Sequence, residues 1–225
     1  MEAISALRRE QFIANYEMER SDMTPNEYLD IISVAAKLKT TPRHCFTDDN
    51  RRESVADHSW RISLMAMLLC MEEEFRDLDR DKLLCMCLIH DLGEVFTGDI
   101  PTFLKSGSDA QEEDTVFRRW VQSFPEPQRC EWLSLLDEMD ALETREARTC
   151  KALDKLEAII AHNESDIATW LPLEYDLQFT YGRENMEFSP WLTDFRAVVD
   201  AWSRRKILEE AQTTEHCSSE YLTQE

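Results

Sequence analysis

The sequence predicts an all-α protein, and three observations carry that expectation. Glycine is scarce, 4 in 225 residues with 7 prolines. Sandwiches, barrels and dinucleotide-binding α/β folds need many more glycines for turns and close approaches. Apolar residues recur three and four positions apart through most of the chain. Helix-start chemistry also precedes several of these runs.

Residues 2–20 read as an amphipathic segment, with Ile4, Leu7, Phe12 and Ile13 among charged neighbours. The next helix opens at Thr24-Pro25-Asn26-Glu27, a capping box with proline at the first helical position. It runs to about Lys39 and stops before Thr40-Thr41-Pro42. Residues 40–53 are polar and read as a loop. Ser54 caps a further helix from Val55 to about Phe75, with Asp57 near its positive end. Another covers about Asp81 to Leu92 and ends at Gly93, a helix C-cap. Residues 94–109, which include Gly98-Asp99-Ile100-Pro101, read as irregular. Later helices fall at about 110–124, 128–140, 144–165 and 190–212, and residues 171–189, with Pro172, Tyr175 and Gly182, read as a long insert. Neither a repeat nor a low-complexity linker divides the chain. The expectation is one domain over 1–212, its core at about 26–165, with a C-terminal helical extension over 166–212. The polar tail, 213–225, reads as frayed.

Composition excludes some functions. Forty-three per cent of the residues are hydrophobic, enough for a folded core. Against 25 Lys and Arg stand 46 Asp and Glu, a formal net charge of −21. A nucleic-acid polymer requires clustered basic residues, so it is not an expected partner, whereas a small phosphorylated metabolite needs only a metal and one or two arginines. The 7 cysteines show no CxxC spacing. Cys70, Cys85 and Cys87 sit among Leu and Met and read as small buried hydrophobes. The N-terminus lacks the apolar core of a signal peptide, and no run approaches a membrane span. The protein reads as cytoplasmic, without a membrane partner.

Four polar residues stand on apolar faces. His90-Asp91 ends a run reading LLCMCLIHDLGE; Leu83, Leu84 and Cys87 lie upstream on the faces of this pair. Adjacent residues on a helix lie about 100° apart, so both reach one point only at a helix end or in a wide cavity. His58 has Val55, Ile62, Met65 and Leu69 at i−3, i+4, i+7 and i+11, and Asp154 has Cys150, Ala158 and Ala161 at helical spacing. A buried carboxylate without a partner costs several kcal/mol or is neutralised. Two imidazoles and two carboxylates meeting on one cation solve that problem together. The mixture suits one divalent transition ion, Mn, Co, Fe, Ni or Zn. His162, eight residues after Asp154, reads as a structural or rim residue, and Lys105 as a solvated charge.

At these residues the chain resembles the HD-domain phosphohydrolases, whose metal motif is H…HD…D, and most closely their 5′-deoxynucleotidase branch. The matching segments are ESVADHSWRISLMAM (53–67), CLIHDLGEVFTGDIPT (87–102) and KALDKLEAI (151–159). The resemblance implies a helical bundle around a metal site held by His58, His90, Asp91 and Asp154. It implies further that Glu94 handles the nucleophilic water, that Asp99 lies near the substrate, and that Arg43 grips the phosphate. The residue after that arginine is commonly an aromatic against the sugar; here it is His44, which loosens the expectation of strict deoxyribose selection. No histidine occurs between residues 92 and 153, which favours one metal over two. The activity implied is hydrolysis of a nucleoside 5′-monophosphate by a homodimer, with Trp120, Trp132, Trp170, Trp191 and Trp202 as interface or core. The alternatives are a metal-stabilised regulatory or scaffold domain and a hydrolase of another phosphoester.

Overall fold

The computed structural model describes residues 22–47 and 51–221, with residues 211–221 described as backbone helix alone. The amphipathic segment 2–20 lies outside the described residues.

Helix α1 (Pro25–Ala35) opens on the expected capping box: the Glu27 amide donates to Thr24 Oγ1 at 3.2 Å, and the Thr24 amide donates to the Glu27 carboxylate at 2.7 Å. A 3-10 turn, Ala36–Thr40, follows. The segment read as a loop is instead an antiparallel hairpin, β1 (Pro42–Phe46) paired with β2 (Arg52–Ser54). Its inward residues include Cys45 and Glu53, both buried and joined Sγ to Oε2 at 3.0 Å. A strand face held by polar contacts leaves no alternation of apolar residues to read.

Helix α2 (Val55–Leu69) starts at Ser54, again with a capping box through Asp57, and gives way to a 3-10 turn at Glu73–Phe75. Helix α3 (Arg80–Ile89) is N-capped by Asp79 and ends three residues before the expected Leu92. Gly93 is not a left-handed cap, since its φ is −58°. Its missing side chain matters for packing: a Cβ there would lie 3.1 Å from Glu113 and 3.2 Å from Phe117. The region 94–109 begins with a short helical turn, α4 (Glu94–Thr97), terminated by Gly98 at φ 78°, a conformation open chiefly to glycine. Helices α5 (Gly107–Val121), α6 (Gln128–Ala141) and α7 (Arg145–Glu164) follow. The long insert contains α8 (Glu174–Thr180) and a 3-10 turn, Arg183–Met186. Helix α9 (Pro190–Tyr221) runs past residue 212 into the segment read as a frayed tail.

Helices α2, α3 and α7 pack on one another through Ile62, Leu83, Met86, Leu153 and Leu156, all essentially inaccessible. Helix α9 covers α7 with Leu192 and Val199. Cys87 is buried and Cys70 partly so, but Cys85 is exposed, contrary to its reading as a core thiol. Trp170 is buried, Trp202 half-buried, and Trp120, Trp132 and Trp191 pack against the core. No helix among the described residues is long and apolar enough to cross a membrane.

One buried cation secures the C-terminal segments. Arg196, 1% exposed, donates to Asp200 at 2.8 Å and to the carbonyls of Tyr181 and Gln178 at 2.7 and 2.8 Å. Replacing it with methionine strands two carbonyls and leaves the buried Asp200 carboxylate with Arg183 as its remaining cationic partner; breaking one side of a buried pair costs up to about 3–5 kcal/mol. Urea denaturation of Arg196→Met should show a loss of that size; an unchanged midpoint and slope would contradict it.

Candidate metal centre and its cavity

The packing of α2, α3 and α7 brings the four sequence-predicted ligands together. His58 lies in the second turn of α2 and is fully buried. His90 caps the end of α3, where the helix stops, so His90 and Asp91 both turn to one point. Asp154 comes from the middle of α7. His58 Nε2 stands 3.3 Å from His90 Nε2, 3.4 Å from Asp154 Oδ1 and 3.5 Å from Asp91 Oδ2; His90 Nε2 is 3.1 Å from the same Asp91 oxygen.

The other ring nitrogens are committed elsewhere. His90 Nδ1 lies 2.9 Å from the Cys87 carbonyl, which only accepts, so that nitrogen carries a proton. His58 Nδ1 bonds the Glu157 carboxylate. Burial opposes ionisation of Glu157, but His58, Arg43 and Arg61 outweigh it and hold its carboxyl down to about 2. Glu157 therefore accepts, and the free lone pairs of both imidazoles face two carboxylate oxygens. With both imidazoles neutral, four acceptors converge with no donor among them. Something positive must sit between them. The charges respond accordingly: burial opposes the imidazolium of His90, yet Asp91 prevails and pushes it up to about 9. A metal ion held by these four residues would supply the same positive charge in place of that proton. The spacing fits one, since neighbouring ligands at bonds near 2.1 Å stand about 3.0–3.4 Å apart.

A cavity of about 520 Å³ opens beside this cluster, lined by His90, Asp91 and Asp154 together with Arg43, His44, Glu94 and Asp99. All four further residues singled out in the sequence thus reach one space. Arg43, from β1, lies 3.4 Å from Glu53, and its Nη1 is buried without a hydrogen-bond partner. Glu94, 4% exposed, has a buried Oε2 that is likewise unpartnered. An unpaired donor and an unpaired acceptor thus share one cavity, whereas buried polar groups in native proteins normally have partners. Burial, with Asp91 and Asp99 nearby, pushes Glu94 up to about 10; a divalent cation would bring it down. Burial also raises Asp99, against the pull of Arg43. His44 Nε2 bonds Glu174 at 2.9 Å and meets the Phe103 ring edge-on at 5.5 Å. His162 stands on the cavity wall, 3.6 Å from Glu174. Lys105 is no solvated charge: it pairs with Glu113 at 2.6 Å on the same wall.

Sequence reasoning missed Glu157, Lys155, Glu174 and Tyr181. Glu157 carried a signal, a charge three residues after Asp154 in an apolar run and so on its face. Glu174 and Tyr181 sit in the supposed insert, where nothing marked them.

The HD domain family model matches residues 35–194. This chain belongs to the HD domain family. The match continues beyond residue 165, so it takes in α8 and the turn after it. This HD domain is 29% identical to 5′-deoxynucleotidase HDDC2 of Homo sapiens over 140 residues, 60% of this chain and 67% of that one. It is 26% identical over 198 residues to 5′-deoxynucleotidase YGK1 of Saccharomyces cerevisiae, 84% of this chain and 85% of that one. Among solved structures, a protein from Magnetospirillum magnetotacticum described as a predicted metal-dependent phosphohydrolase superposes with a TM-score of 0.67 at 28% identity, over 80% of this HD domain and 94% of that protein.

Proposed function

We propose that this HD domain hydrolyses the phosphate monoester of a nucleoside 5′-monophosphate, using one divalent transition ion held by His58, His90, Asp91 and Asp154. The observation that carries the reading is the convergence of four acceptor atoms, from three helices, at the floor of a cavity holding an unpaired arginine nitrogen and an unpaired carboxylate oxygen. The names of the relatives support the substrate class.

A bound divalent ion supplies Lewis acidity to a phosphoryl oxygen and acidifies water. Arg43 offsets charge on the phosphoryl oxygens through its free Nη1 as that charge builds towards in-line displacement. Glu94 orients the attacking water and accepts its proton at Oε2. Asp99, on the segment that follows α4 along the same cavity, positions the sugar or the leaving 5′-oxygen. His44, held by Glu174, offers a smaller and more polar ring at the sugar end than the aromatic residue expected there, so ribose and deoxyribose substrates are both expected to enter. A structural metal would need neither Arg43 nor Glu94, which weighs against the scaffold reading.

The test is phosphate release from a panel of ribo- and deoxyribonucleoside 5′-monophosphates. Turnover should vanish on chelation and return with Mn²⁺ or Co²⁺. Activity indifferent to chelator, or no release from any member of the panel, would refute the proposal.

Two further readings accompany it. All six cysteines among the described side chains are free, which suits a reducing compartment, the cytoplasm. A homodimer forms through a long apolar stripe that the described residues leave in solvent, Trp60, Leu64, Met67, Leu68 and Met71, spaced at i, i+4, i+7, i+8 and i+11 along and just beyond α2. Light scattering should give twice the chain mass, falling to the monomer in Trp60→Glu/Leu68→Glu; a monomeric wild type would rule the dimer out.

A further inference from the structure

Asp154 has to offer one oxygen to the cluster and keep the other out of it. Its Oδ1 faces His58 at 3.4 Å, while Oδ2 lies 3.0 Å from Lys155 Nζ and 3.6 Å from Lys151 Nζ. A lysine side chain is flexible and loses much rotamer entropy when fixed, so Lys155 keeps this place only if other groups hold it there.

Those groups come from the segment just after α8. The Tyr181 hydroxyl is 2.7 Å from Lys155 Nζ, and the ammonium also lies 4.9 Å from the centre of the same ring. An ammonium has donors only, so the tyrosine oxygen must accept from it. Its own proton is then free for Thr102 Oγ1, 3.2 Å away in the turn that carries Asp99. Gly182 closes over the stem of Lys155. A Cβ at that position would stand 2.5 and 2.6 Å from Lys155 Cβ and Cγ, and its φ of 61° independently favours glycine. Arg196 fixes the pair from behind through the Tyr181 carbonyl.

We propose that Tyr181 and Gly182 are positioning residues for the metal centre. They clamp Lys155 so that its ammonium occupies Asp154 Oδ2 and leaves Oδ1 to ligate, and they tie the Asp99 turn to the same anchor. The inference rests on Asp154 being a metal ligand, not on any particular substrate. Partners that orient metal ligands are typically worth 10–100-fold in affinity.

The measurement is calorimetric titration of Co²⁺ into the chelator-stripped full chain without substrate. A wild type that binds metal but hydrolyses nothing would therefore sink the hydrolase reading and leave this test intact. Lys155→Met should bind Co²⁺ about 10–100-fold more weakly. Tyr181→Phe, which keeps the ring, should lose about tenfold with its melting temperature nearly unchanged. The double variant should match Lys155→Met alone, because the hydroxyl acts through the lysine. Gly182→Ala disturbs the clamp without removing any hydrogen-bonding group and should also weaken binding. Wild-type affinity in Tyr181→Phe and Gly182→Ala, or a double variant showing the product of the two single losses, overturns the proposal.

Discussion

Asp154→Ala should lower kcat by about 10³-fold or more and leave the purified protein nearly metal-free. Two effects act in the same direction. The first is loss of one of four ligands, and with it the Lewis-acid contribution, worth several kcal/mol at about 1.4 kcal/mol per tenfold in rate. The second comes from Lys155. Its side chain is only 16% exposed and its ammonium now balances the Asp154 carboxylate at 3.0 Å. Without that carboxylate, a buried positive charge faces a site that must accept another. The loss should therefore exceed that in His58→Ala, which deletes a ligand but leaves no cation stranded. Metal analysis together with phosphate release on dAMP or AMP gives the comparison. Wild-type metal content and turnover in Asp154→Ala would remove the centre from the chemistry.

What could be read in the sequence, and what could not, follows from the kind of contact each element makes. Helices α2, α3 and α7 bury apolar stripes, and a stripe has a period. His58, Asp91 and Asp154 were legible because each breaks such a stripe with a group too costly to bury alone. Glu94, Asp99 and Arg43 came from resemblance, since a lone acid after a helix or a lone arginine in a polar segment has no period to interrupt. The hairpin of β1 and β2 escaped because its inward face carries Cys45 and Glu53, with no hydrophobic alternation between them. The segment over 171–189 escaped for a related reason. Helix α8 is seven residues long, too short for two turns of pattern, and its roles are to present Glu174 to His44 and to lead into Tyr181 and Gly182. Gly182 is informative only once Lys155 is seen beneath it: a glycine between helices reads as a turn until the contact it permits is known.

Glu94→Gln separates binding from chemistry most sharply. The substitution is isosteric and removes only the capacity to take a proton, so kcat should fall by about 10²–10⁴ while metal content stays at the wild-type level. Stability should move the other way. Glu94 is pushed up from its ordinary value of 4.5 to about 10 by burial and by Asp91 and Asp99. A carboxyl raised on folding binds a proton more tightly in the native state than in the unfolded chain. Its contribution is full below about pH 4.5 and is lost as pH rises towards 10. Glutamine, always neutral, escapes that loss. The stripped variant should therefore melt with the stripped wild type near pH 4 and above it at pH 8. In the metal-loaded enzyme the cation favours the carboxylate, so the wild-type advantage in turnover should persist at neutral pH and decline as acid protonates the base. A glutamine variant that keeps wild-type kcat would show that the water is activated without Glu94. A variant inactive because it has lost its metal would place Glu94 among the groups that hold the ion instead.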